Sequence, residues 1–229
     1  STSEDYIGYA KDIGIVADAQ AAVALLQFID FILTKFLGAS LYGTWSLIWV
    51  TIVLVTPLAM LGLGMTFTRF LAVERDIVKI REGFLSVVFA ILAVGVFVSF
   101  ILLLCSDLFA ASILGDITSS HLVKLAAFMV LSQALSQIST RFFQTFRQMK
   151  WYSALLIAKA AVELGLMVCF LLLGWELKGV IIAVLSSGIF SAAIALFVAL
   201  RQIGFQFPRF TELKSYLKYG LPLVPSASK

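Results

Sequence analysis

The chain has 229 residues, 61% of them hydrophobic and 13% charged, with a formal net charge of +4 and a mean hydropathy of +1.04, whereas soluble domains carry about 25% charged residues. This excludes a water-soluble globule, because the apolar residues arrive in unbroken runs that lipid must cover. It also excludes nucleic acid as the partner behind the pI near 9.1, since Lys and Arg are confined to short segments between the apolar runs.

The N-terminal stretch Ser1 to Tyr6 is polar and acidic, lacks a basic n-region and precedes a run too long for a signal-peptide core, so the first helix is expected to stay in the mature protein. Six runs follow, each long enough to span about 30 Å of hydrocarbon at 1.5 Å per residue. They lie near Ile13 to Phe36, Thr44 to Thr66, Phe84 to Leu104, Leu122 to Phe143, Ala154 to Gly174 and Val180 to Leu200. The glycines of Leu37 to Gly43 mark a tight connection between the first two.

Residues 201–218 mix Phe205, Phe207, Phe210 and Tyr216 with Arg209, Lys214 and Lys218, which suits an interfacial segment, while Pro208 also permits a plain linker. Tyr219 to Ala227 opens like a seventh span that stops at Lys229. The predicted fold is therefore all-α: a polytopic transmembrane bundle of six spans plus the start of a seventh. Residues 1–12 form a cytoplasmic N-terminus, 13–200 the six-helix lobe, 201–218 the linker and 219–229 the truncated helix.

Orientation follows from sorting the basic residues. Lys11, Arg69, Arg75, Lys79, Arg81, Arg141, Arg147, Lys150, Arg201, Arg209, Lys214 and Lys218 fall on the side of the N-terminus, against Lys35, Lys124 and Lys178 on the other. The positive-inside rule then places the N-terminus in the cytoplasm.

Four stretches carry a family resemblance. They are Leu33-Thr34-Lys35-Phe36-Leu37-Gly38 running into Leu41-Tyr42-Gly43; Leu61-Gly62-Leu63-Gly64-Met65 with Thr68-Arg69-Phe70; Phe142-Phe143-Gln144 leading to Arg147-Gln148-Met149-Lys150-Trp151-Tyr152; and Tyr219-Gly220-Leu221-Pro222-Leu223-Val224-Pro225. In this order and spacing they resemble the polysaccharide-flippase branch of the multidrug, oligosaccharidyl-lipid and polysaccharide exporter superfamily. The resemblance implies two six-helix lobes around a central cavity, with this chain the N-terminal lobe, in the inner or plasma membrane of a prokaryote. Asp30 departs from the neutral or proline residue expected there in this branch.

Polar residues within the spans need a cause, because an acid at mid-helix costs about 2.5 to 3.5 kcal/mol on insertion scales. Gln20, Gln27, Asp30 and Thr34 form one stripe on the first helix, read as facing a hydrated cavity. Asp30 either pairs with a neighbouring helix or couples transport to H+ or Na+, and related drug exporters carry an acid in their first helix. Asp18 lies on another face nearer the cytoplasmic end.

On the fourth helix Gln133, Gln137, Thr140 and Gln144 recur at helical spacing beside Arg141, forming either a second wall of that cavity or interhelical hydrogen bonds. Lys159 and Glu163 are four apart on the fifth helix and are expected to neutralise each other. Arg69, Arg141 and Arg147 can hold a diphosphate through their planar forks, while Arg69 and Arg147 equally suit snorkelling anchors. Pro57 marks a flexing point or a static kink in the second span.

No phosphate-cradling glycine loop, metal-ligand cluster or nucleophile with its base is present, and His121 is the only histidine. Cys105 and Cys169 have no paired spacing and read as small apolar residues. Neither an enzyme nor a cofactor is expected.

The expected function is flipping of a lipid-linked, isoprenoid-diphosphate oligosaccharide by alternating access. The expected substrate-binding residues are Arg141, Arg147, Arg69, Gln137, Gln133, Gln144 and Gln27, with Asp30 for ion coupling. Expected partners are membrane lipid, the glycolipid, H+ or Na+ and a second six-helix lobe. The rival readings are a cation-coupled multidrug antiporter and a non-transporting subunit of a glycan assembly complex.

Overall fold

Backbone in hydrocarbon has no water to bond, so its N–H and C=O groups must satisfy one another along a helix. The computed structural model describes residues 28–71, 74, 76–115 and 119–204, and every regular element among them is helical. In chain order these are α1 (Phe28–Ala59), α2 (Leu63–Leu71), α3 (Ile77–Leu104), α4 (Ser106–Phe109), a π-helical turn (Ala110–Leu114), α5 (Ser120–Thr145), α6 (Met149–Leu172) and α7 (Glu176–Ile203). Five helical segments, Leu33–Ala59 within α1 and the whole of α3, α5, α6 and α7, are long and apolar enough to cross a membrane. The chain is a multi-pass membrane protein. They correspond to the second to sixth predicted spans; the first span up to residue 27, and the linker and seventh segment from residue 205 onward, lie outside the described residues.

The breaks between helices have local causes. Gly38 interrupts α1 at φ 73, ψ 169, a region essentially reserved for glycine, inside the predicted connection. The second span ends at Ala59 and not at Thr66, because Leu61 and Gly62 turn the chain at φ 48 and 65. Leu63, Phe67 and Leu71, one helical turn apart, then bury one face of α2 and leave Arg69 exposed. Helix α3 starts seven residues before the predicted Phe84: Asp76 caps it, accepting from the Val78 N–H at 2.9 Å. Its first turns carry Lys79, Arg81 and Glu82, which an apolar-run criterion leaves out.

Without a hydrophobic drive between helices in lipid, close packing needs small side chains. Along α7, Gly179, Ala183, Ser187, Ser191, Ala195 and Ala199 recur every fourth residue and all are buried. On the adjoining ridge Gly188 meets α5, where an added Cβ would lie 2.9 Å from Ser132 Oγ. Helix α5 is the hub, packed against α1, α2, α3, α6 and α7. Ser99 of α3 donates to its Ala127 carbonyl at 2.8 Å. Outward-facing Leu54, Phe97, Leu104 and Phe197 remain exposed, as a lipid-facing surface requires.

Candidate functional site

Alternation of the spans gathers the ends of α2, α5 and α7 and the starts of α3 and α6 at one side of the bundle. An aromatic cluster joins α2, α3 and α5 there. Phe84 lies 5.7 Å from Phe67 and 4.9 Å from Phe142, and Phe142 lies 5.4 Å from Phe143 and 4.9 Å from Phe146. Thr145 and Thr68 hydroxyls meet at 3.3 Å, and Gln148 and Gln202 exchange two hydrogen bonds at 2.8 and 3.1 Å. This end carries Arg69, Lys79, Arg81, Arg141, Arg147, Lys150 and Arg201.

The candidate arginines divide between two places. Arg141 lies over α2, with its Nε 3.2 Å from where a Cβ of Gly64 would stand, so the glycine gives the guanidinium its seat. Arg69 follows Thr68 on that same helix and is exposed. Arg147 ends α5 by a backbone device. Its own N–H reaches the Gln144 carbonyl at 3.2 Å and the Gln148 N–H reaches the Phe143 carbonyl at 2.8 Å, the paired bonds of a Schellman cap. The position Arg147 occupies there is left-handed, φ 54, where glycine is the favoured residue. The cap aims the chain into a groove of about 410 Å³ lined by Arg147, Gln148, Met149, Lys150, Trp151 and Gln202.

The glutamine stripe of α5 also splits. Gln133 is buried and accepts from Lys159 Nζ of α6 at 2.8 Å. Thr140 is buried and bonds back to the Ser136 carbonyl. Gln137 and Gln144 are exposed and Arg141 is partly so. Lys159 and Glu163 attract each other as opposite charges without touching: the ion pairs within 4 Å among the described residues are Lys79–Glu74 and Lys124–Asp107. Glu163 instead accepts from Ser187 Oγ of α7 at 2.9 Å. Gln27 lies outside the described residues, as does the side chain of Asp30, whose backbone belongs to α1.

Sequence reasoning missed Ser187, Gln148, Gln202 and Trp151. The every-fourth-residue ladder of α7 was a legible signal for Ser187 as an interface residue; nothing in the sequence pointed to the Gln148–Gln202 pair, which joins residues 54 apart. At the opposite end of the bundle a second groove, about 640 Å³, is lined by residues including Leu41, His121, Trp175, Glu176 and Lys178. Its charges are of both signs. Cys105 and Cys169 are free.

A family model described as polysaccharide biosynthesis protein matches residues 9–227. No curated protein and no solved structure matches the chain significantly.

Proposed function

The chain belongs to the polysaccharide biosynthesis protein family, and from that premise we propose that it flips a lipid-linked oligosaccharide across the membrane as the N-terminal lobe of a two-lobed transporter. The observation that carries the reading is the basic end of an otherwise lipid-clad bundle. Arg141 lies against Gly64 at the α2–α5 contact, exposed Arg69 belongs to the same α2, Arg147 and Lys150 line a groove at this end, and exposed Gln137 and Gln144 flank Arg141 along α5.

A diphosphate sugar head cannot enter hydrocarbon unless other groups replace its water. Guanidinium forks suit the diphosphate, amide side chains suit the sugar hydroxyls, and the isoprenoid tail stays in lipid. Rocking against a second lobe then exposes the head to either side. The positive-inside rule puts the basic end in the cytoplasm, where the head is collected.

The test is reconstitution of the chain with its second lobe in proteoliposomes containing a fluorescent isoprenoid-diphosphate oligosaccharide, whose arrival in the outer leaflet is read by chemical quenching. Loss of one charge-assisted contact worth about 1.5–3 kcal/mol predicts about 10- to 100-fold weaker apparent affinity for Arg141→Gln, with Arg141→Lys intermediate. Wild-type vesicles that export small amphipathic cations and leave the glycolipid in place would establish the drug-antiporter reading instead.

A further inference from the structure

Lys159 sits about 15 Å from the start of α6 and Glu163 about 14 Å from its end, the 24 residues running Met149–Leu172. Both are therefore near the hydrocarbon midplane, where each charge costs about 2.5 to 3.5 kcal/mol on insertion scales. Ionisable side chains kept at that depth mark ion paths and proton relays. The two attract each other but make no direct ion pair. Lys159 reaches Gln133 on α5 and Glu163 reaches Ser187 on α7, so their opposite charges stand a turn apart, each tied to a neutral partner on a different helix.

Ser187 has a property suited to a titrating neighbour. Its hydroxyl has one proton and two acceptors within reach: Glu163 Oε2 at 2.9 Å and the Val184 carbonyl at 3.0 Å. With Glu163 ionised, the hydroxyl proton points at the carboxylate. With Glu163 protonated, the acid O–H donates to Ser187 Oγ and the serine proton turns to the Val184 carbonyl. Both states are satisfied without moving a heavy atom.

The charge environment is simple. Among the described residues α5 and α7 are the elements that pack substantially on α6. Towards Glu163, α7 presents Ser187, and its ionisable residues Glu176, Lys178 and Arg201 lie at its ends; towards Lys159, α5 presents Gln133, with His121, Lys124 and Arg141 towards its ends. On α6 itself the remaining ionisable residues are Lys159, the free thiol of Cys169 towards the far end and, at the start, Lys150 and Tyr152.

We propose that Glu163 is a proton-binding site of the transport cycle, with Lys159 as its standing countercharge and Ser187 as the hydroxyl that accommodates either state. This rests on the transport function proposed above. A proton taken from the aqueous phase converts the carboxylate to the acid, the Lys159–Glu163 pair passes from net zero to one positive charge, and a charge-assisted bond to α7 becomes a neutral, weaker one. Release of the proton to water reverses each change. Helix α6 is the element this loosens: its buried residues are few, Ser153, Leu155, Ala160, Met167 and Leu171, whereas α5 and α7 interlock through Ser132 and Gly188.

The experiment has two readouts on the chain with its second lobe in lipid. Infrared difference spectra on acidification from about pH 9 to 3, a range that includes the ordinary carboxyl values, should show a carboxylic-acid band that Glu163→Gln lacks and that Ser187→Ala shifts. In proteoliposomes the ratio of glycolipid translocation with and without a pH gradient should be severalfold in wild type and near unity in Glu163→Gln. Identical acid bands in wild type and Glu163→Gln overturn the proposal, and so does a gradient response that Glu163→Gln retains. If Glu163→Gln does not fold, an acid band unmoved by Ser187→Ala overturns it equally. A titrating Glu163 band in a protein that moves no glycolipid leaves the proton site standing and removes the flippase reading. Wild-type translocation indifferent to the gradient does the reverse.

Discussion

Replacing Gly188 with alanine puts a methyl carbon 2.9 Å from Ser132 Oγ and 3.2 Å from its Cβ. Ser132 cannot swing aside without loss, because it is buried and its hydroxyl donates to the Met129 carbonyl at 3.1 Å. Overpacking of this kind costs about 1–3 kcal/mol, and the better helix propensity of alanine returns about 0.8–1.0, leaving a net loss of about 1 kcal/mol. At Gly165, on α6, an added Cβ meets nothing within 4 Å, so the same substitution keeps only the propensity gain of about 0.8–1.0 kcal/mol. Two chemically identical changes thus carry opposite signs. Unfolding of the detergent-solubilised chain measures both, and in a double-mutant cycle Ser132→Gly should couple to Gly188→Ala by about 1 kcal/mol, well above the scatter of about 0.3–0.5 seen for independent sites. A Gly188→Ala protein as stabilised as Gly165→Ala would refute the close approach of α5 and α7.

Two further substitutions separate stability from function. Arg147→Gly relieves a left-handed residue that costs about 1–2 kcal/mol when it is not glycine, so the variant should unfold at higher denaturant while binding the isoprenoid diphosphate about tenfold more weakly; a variant that binds as wild type would reduce Arg147 to a membrane anchor. Gln133→Leu strips Lys159 of its acceptor at mid-membrane and should destabilise by at least about 1–3 kcal/mol, whereas adding Lys159→Met to it should recover most of the loss, read from the same unfolding curves. Equal destabilisation by the single and double variants would mean that Lys159 contributes nothing through Gln133.

The spans were legible because hydrocarbon demands long unbroken apolar runs, and the runs from Thr44 onward are helices. Their ends were less so. The run criterion stops at the first charges, yet α3 continues as helix through Lys79, Arg81 and Glu82 to its Asp76 cap, because a helix does not end where the lipid does. In the opposite sense the apolar Leu61-Gly62-Leu63 hid a reversal of the backbone. The signal was present in Leu63, Phe67 and Leu71, whose spacing of four turns one face inward and Arg69 outward. The glutamine stripe shows where single-helix reading stops. Angular position puts Gln133 and Gln137 on one face, but the partner of Gln133 lies on another helix, 26 residues away in sequence, and that partner decides which amide is buried and which is open.

The same limit explains Lys159 and Glu163. A spacing of four makes mutual neutralisation the simplest expectation along one helix, and an isolated α6 would have no better choice. Packing supplies one. The α7 ladder needs a small residue every fourth position so that helices approach closely, and alanine meets that need at Ala183, Ala195 and Ala199. At Ser187 the packing requirement is the same, but the side chain adds a hydroxyl within 2.9 Å of a carboxylate. Ser187→Ala therefore preserves the shape of the interface and removes only the hydrogen-bonding, which makes position 187 the place where the packing of this bundle and its chemistry can be varied independently.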